Sequence, residues 1–300
     1  MRVSRRALIL LFTLALAGCS DASAEVETLP ETVHTTDNFS EFSAVVARHQ
    51  AMSERVARIS RRLRVANAPL CDVTRLDVGL STHRLTDYPS NLRPLALHFM
   101  DLRETGRFIR SIVPGSPADR ARLRTGEEVI SGWPIQAETP LVIDDGNGAS
   151  PVRVTADRAC VAPAFVINAD SPNASTDGRE IELSTTLVEQ VGDDAALALI
   201  IAHEMAHVLR GHSAANGPRW NAELQADADA LTLMRNAGYD ISGTVAQWEA
   251  GVDAHRESQA MSATHPPLHI RLRNLEVALE ALNTGPDGFR ALGEESYSPR

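Results

Sequence analysis

Asp193-Asp-Ala-Ala-Leu-Ala-Leu-Ile-Ile-Ala202 runs into His203-Glu204-Met205-Ala206-His207 and then Val-Leu-Arg-Gly211. Asp193 and Asp194 suit a helix start, and Gly211 suits a helix stop. Between them the segment is apolar nearly all round, so it predicts a buried helix. On a helix, positions four apart lie only about 40° apart around the axis. His203 and His207 can therefore present imidazole nitrogens to one Zn²⁺. Glu204 lies about 100° round from His203, within reach of a water at the metal but not in a ligand's place. A carboxylate there can take the proton from that water and pass it to a leaving amine. Two histidines and a glutamate on a buried helix need partners, because unpaired buried polar groups are costly, and a metal supplies one.

Hydrolytic zinc usually takes three protein ligands and leaves one position for water. Asn221-Ala-Glu223-Leu-Gln-Ala-Asp227 opens a second helix, stopped by Gly238. Glu223 and Asp227 stand one turn apart on the same face. Ala226 and Ala230 are small enough for this helix to pack closely on the first. Glu223 is the expected third ligand. Asp227 is expected to accept a hydrogen bond from a ligand histidine and fix its tautomer. His212 lies off the ligand face and is expected to be structural. His255 and His269 carry no signal.

These motifs resemble the M48 zinc metallopeptidases, the class of HtpX and of periplasmic quality-control proteases. Further pieces follow in the family's order. Upstream are Asn168-Ala169, Gly178 and Ile181-Glu-Leu-Ser-Thr185; downstream are Thr264-His265-Pro266-Pro267 and Arg271. The resemblance extends over about 160–280. One departure is the longer link through Asp170–Asp177. The likeness implies an active-site His265, which either steadies an oxyanion or caps the open zinc position. It implies that Arg271 binds a substrate carbonyl or pairs with a site carboxylate. It also implies that strand 181–185 is the sheet edge to which an extended substrate adds.

The N-terminus reads as an export signal. Arg2, Arg5 and Arg6 precede an apolar run, Ala7 to Ala17, too short to span a membrane. Leu16-Ala17-Gly18-Cys19 resembles a bacterial lipobox, which implies lipidation at Cys19 and a lipid anchor. Ser20 after the cysteine favours the outer over the inner membrane, with the protein facing the periplasm. The formal net charge of −10 argues against nucleic acid as a partner. Of three cysteines, Cys71 and Cys160 remain after lipidation, an even pair suited to a disulfide in an oxidising compartment.

Between those two cysteines the character of the chain changes. Phe108–Ile130, with Pro114-Gly-Ser-Pro-Ala118 and Leu123-x-x-Gly126-Glu-Glu-Val-Ile130, resembles part of a PDZ domain. Arg122 stands where such domains carry glycine. Asp77-Val-Gly-Leu80 is the one candidate for a carboxylate-binding loop.

The expected fold is α+β: a mainly helical zincin-type (gluzincin) domain with a small sheet, plus an inserted, small, β-rich PDZ-like domain. The expected divisions are a signal at 1–18, a flexible tether at 19–38 and an N-terminal helix of the peptidase domain at 39–70. The PDZ-like insert follows at 71–159, the zinc peptidase domain at 160–290 and a loose tail at 291–300. The expected function is that of a membrane-anchored endopeptidase with one Zn²⁺ per chain. Its expected substrates are unfolded or misfolded envelope proteins, with envelope-assembly machinery as a candidate partner. Two alternatives stand open: a zinc-stabilised chaperone or peptide-binding protein with little turnover, and a purely structural zinc site closed by His265.

Overall fold

A computed structural model describes residues 36–136, 140–212, 220–254 and 266–284. The expected signal, Cys19, most of the tether and His265 lie outside the described residues. The first described helix, α1 (Thr36–Ala66), contains neither glycine nor proline. It begins inside the segment 19–38 expected to be tether, and Val56, Ile59 and Leu63 are its buried stripe. Val45, expected on the same stripe, is exposed. No helix among the described residues is long and apolar enough to cross a membrane.

The chain divides into two compact units, and the division falls inside α1. One unit comprises the described chain through Arg61 together with Asp72–Cys160; the other comprises Arg62–Cys71 and the chain from Val161. The helix expected to serve the peptidase domain alone therefore contributes to both. Cys71 and Cys160 are disulfide-bonded, and with three cysteines in the chain they are bonded to each other.

The first unit contains β1 (Thr74–Asp77), β2 (Leu80–His83), α2 (Arg93–Phe99), β3 (Phe108–Ile112) and the single turn α3 (Pro117–Arg120). β4 (Glu128–Ser131), β5 (Leu141–Asp144), β6 (Ala149–Val152) and β7 (Asp157–Cys160) complete it. Strands β2 to β6 form one antiparallel sheet in chain order, and β1 pairs with β7. Val78, Ile109, Ala118, Leu123, Val129, Leu141 and Ile143 form its core. Asp77 and Asp157 face each other across the β1–β7 ladder, where like charges repel. Arg61 bonds both, at 3.0 Å to Asp77 Oδ1 and through Nη2 to Asp157. Arg122 sits at φ +60°, the left-handed conformation that glycine adopts without strain. The Asp77–Leu80 turn uses one of its own donors: the Gly79 N–H donates to Asp77 Oδ1 at 2.8 Å.

The second unit begins with β8 (Ala164–Ile167), β9 (Ala174–Thr176) and β10 (Ile181–Ser184). Helices α4 (Thr185–Gln190), α5 (Asp194–Arg210), α6 (Trp220–Asn236), α7 (Ile241–Ala254) and α8 (Leu268–Thr284) follow. Strand order is β8-β10-β9, with β10 parallel to β8 and antiparallel to β9. This corrects the expectation for 181–185: β10 is central, and both its backbone edges are already paired. The longer link 170–177 contains β9, which takes the edge position in its place. Ser184 ends β10 and caps α4, with the Leu187 N–H donating to its Oγ at 3.1 Å. α5 packs on α6 and α6 on α8. Ala226 and Ala230 are fully buried, as close packing of α6 requires.

Candidate metal centre

Both helices that build the site are fixed at their ends by local chemistry. Asp193 Oδ1 accepts the N–H groups of Ala195 at 2.8 Å and Ala196 at 2.9 Å, which caps α5. At the other end Gly211 has φ +64°, and the His212 N–H donates back to the His207 carbonyl at 3.0 Å. That six-to-one bond is a Schellman stop. α6 ends in the same way, with Gly238 at φ +71° and the Tyr239 N–H on the Met234 carbonyl at 3.0 Å.

His203, His207 and Glu223 come together as the sequence places them. Their ligand atoms lie within 4.8 Å of one another, the one such group of His, Cys, Asp and Glu side chains among the described residues. The two imidazole Nε2 atoms are 3.1 Å apart. Glu223 reaches His203 Nε2 at 3.4 Å with Oε2 and His207 Nε2 at 3.5 Å with Oε1. His203 and Glu223 are buried and His207 is half-buried.

Asp227 lies behind His203, with Oδ1 2.9 Å from its Nδ1. Arg271 in α8 grips Asp227 in turn, with Nε at 2.8 Å from Oδ2 and Nη2 at 2.5 Å from Oδ1. Of the two roles implied for Arg271, this geometry is the pairing with a site carboxylate. The carboxylate fixes the His203 proton on Nδ1, which leaves Nε2 as the lone pair facing the cluster. A neutral imidazole lone pair, a second imidazole nitrogen and a carboxylate thus face one point. That donor set repels itself unless a cation joins it, and it is the set that suits zinc.

With no cation in the cluster, its carboxylates draw a proton onto it instead. Burial works to lower the His203 pKa, but hydrogen bonds to Asp227 and Glu223 outweigh it and push it up to about 9. Burial, helped by the His203 charge, takes His207 down to about 3. Asp227 is held well below the ordinary carboxylate range: burial opposes this, and the Arg271 guanidinium overrides it. Burial raises the Glu204 carboxyl above its ordinary value, and the nearby Glu223 charge adds to the rise. A raised carboxyl next to the ligand cluster is the condition a general acid–base group needs.

One contact at the site was not foreseen from sequence. His212, expected to be merely structural, brings its Nδ1 to 3.0 Å from His207 Nδ1. The signal was available in the glycine stop, because a Schellman turn folds the residue after glycine back over the last helical turn.

Comparison with known proteins agrees with part of this. The profile described as Peptidase family M48 matches residues 154–217. The match covers β7 to β10, α4 and α5, and so includes His203, Glu204 and His207 but stops before Glu223. Neither the curated proteins nor the solved structures yield a match. The matched segment and the His/His/Glu cluster together support a distant relationship to the M48 zincins and a zinc-protease-like function at the level of the superfamily.

Proposed function

We propose that this protein is a zinc endopeptidase. The observation that carries the proposal is the convergence of His203, His207 and Glu223 on one point, with Glu204 in the same helical turn as the two histidines. The three convergent side chains would hold Zn²⁺. When bound, the ion would supply Lewis acidity toward a peptide carbonyl and acidify water at the site. Glu204 takes the proton from the attacking water and returns it to the departing amine; its raised pKa suits it to both transfers. Asp227 keeps His203 in one tautomer, and Arg271 keeps Asp227 ionised. His265 is proposed, on the family likeness alone, to stabilise the oxyanion.

The sequence further supports a lipid anchor at Cys19 in a bacterial envelope. Unfolded or misassembled envelope proteins are the proposed substrates, and the β-rich unit is proposed as a PDZ-like accessory module. The first test is Glu204→Gln with casein as substrate. The variant should retain zinc and lose about 10²–10⁴-fold in cleavage rate, the usual worth of a general acid–base group. Cleavage at the native rate by the zinc-loaded variant would overturn the mechanism.

A further inference from the structure

We propose that His212 is a positioning residue for the metal centre, holding His207 in the ligand tautomer as Asp227 holds His203. The proposal rests on the zinc reading above. Two rings meet through Nδ1 atoms 3.0 Å apart, so one proton is shared between them. A histidine that binds a metal through Nε2 carries its proton on Nδ1. His207 Nε2 faces His203 Nε2 and Glu223, so its Nδ1–H is the donor and His212 Nδ1 the acceptor. His212 then carries its own proton on Nε2.

The main chain also holds His212 in place. Its backbone N–H donates to the carbonyl of the same His207 at 3.0 Å, so ring and main chain both clasp one residue. α6 supplies the third candidate ligand and the support for His203, while the turn after α5 supplies the contact to His207.

The two supports differ in charge. Asp227 is an anion backed by Arg271, whereas His212 is a neutral acceptor. It orients His207 without adding another negative charge to a site that already has Glu204, Glu223 and Asp227. Loss of an outer partner of this kind costs about 10–100-fold in metal affinity, and a neutral acceptor belongs near the lower end.

The test uses the full chain and three variants: His212→Ala, His212→Asn and His212→Leu. Asn places a carbonyl oxygen near the position of Nδ1 and can still accept. Zinc affinity is measured by competition with a chromophoric chelator, and the His207 tautomer and Nδ1–H exchange by ¹⁵N NMR. Ala and Leu should weaken zinc about 10-fold and expose the Nδ1–H to exchange, while Asn restores both. A circular dichroism melt accompanies each variant, so that a general loss of fold is seen as loss in all three. Native affinity and a protected Nδ1–H in the Ala and Leu variants would overturn the proposal and leave the zinc reading intact. So would an Asn variant as weak as Ala at an equal melting temperature. A native protein that takes up no zinc would overturn both.

Discussion

His83 shows how one side chain can set the acid limit of a unit. It is 4% exposed in β2, and its Nδ1 lies 2.8 Å from the Tyr88 hydroxyl. Its Nε2 is buried with no hydrogen-bond partner among the described residues. Burial, reinforced by the Arg110 charge, lowers its pKa to about 4. The unfolded chain takes up this proton near the ordinary value of 6.5, and the folded chain does so only near 4. Stability is therefore unaffected above that window and falls as pH drops through it, by about 1–3 kcal/mol. Urea titrations at pH 7.5 and 4.5 (roughly the two ends of that window) should show the loss, and His83→Gln should remove this part of it. An equal pH slope in the variant would mean that other groups carry the effect. Nothing in the sequence distinguished His83, because its properties come from strand pairing and from Arg110 on β3. His203 and His207 were legible because their spacing along one helix already encodes their geometry.

At the scale of elements, the Asp227–Arg271 pair joins α6 to α8. Both side chains are buried, Asp227 at 1% and Arg271 at 6% exposure. Removing one partner strands the other's charge in the interior. Arg271→Leu should cost about 3–5 kcal/mol in a denaturant titration. Arg271→Leu combined with Asp227→Asn should recover part of that loss, since no charge is then left uncompensated. An unchanged midpoint for the single variant would show that the pair contributes little. The helices were the readable elements, since Asp193, Gly211 and Gly238 mark their ends in residue type. The position of β10 was not readable. A strand's alternation identifies a face, but its neighbours depend on segments elsewhere in the chain, here β8 and the extra residues that form β9.

At the scale of the molecule, the Cys71–Cys160 bridge closes the segment between those cysteines into a loop, and none of the three candidate ligands lies within it. Breaking the bridge should thus affect stability far more than metal content. Replacing both cysteines with serine should lower unfolding stability by about 2–5 kcal/mol by calorimetry, while zinc stoichiometry stays at one per chain. Loss of zinc together with the bridge would contradict this separation. The change in composition between the cysteines was visible in the sequence, but the sharing of α1 between the two units was not. A continuous amphipathic stripe cannot indicate that its first part belongs to one unit and its end to the other. Asn67 illustrates the second case: just past α1, it donates to Leu63 O at 2.8 Å and to Leu233 O at 2.9 Å.

The left-handed glycine after α5 has a consequence for how this locus tolerates insertions and deletions. Because Gly211 turns the chain back over the residue four positions earlier, the count between motif and turn matters as much as the residues themselves. One added residue between His207 and Gly211 would advance the turn about 100° around the axis. The helix would still end cleanly, but the returning imidazole would lie over a neighbour of His207. Length variants here should consequently be soluble and folded yet poor at retaining metal, a phenotype that differs from that of any point substitution in the motif.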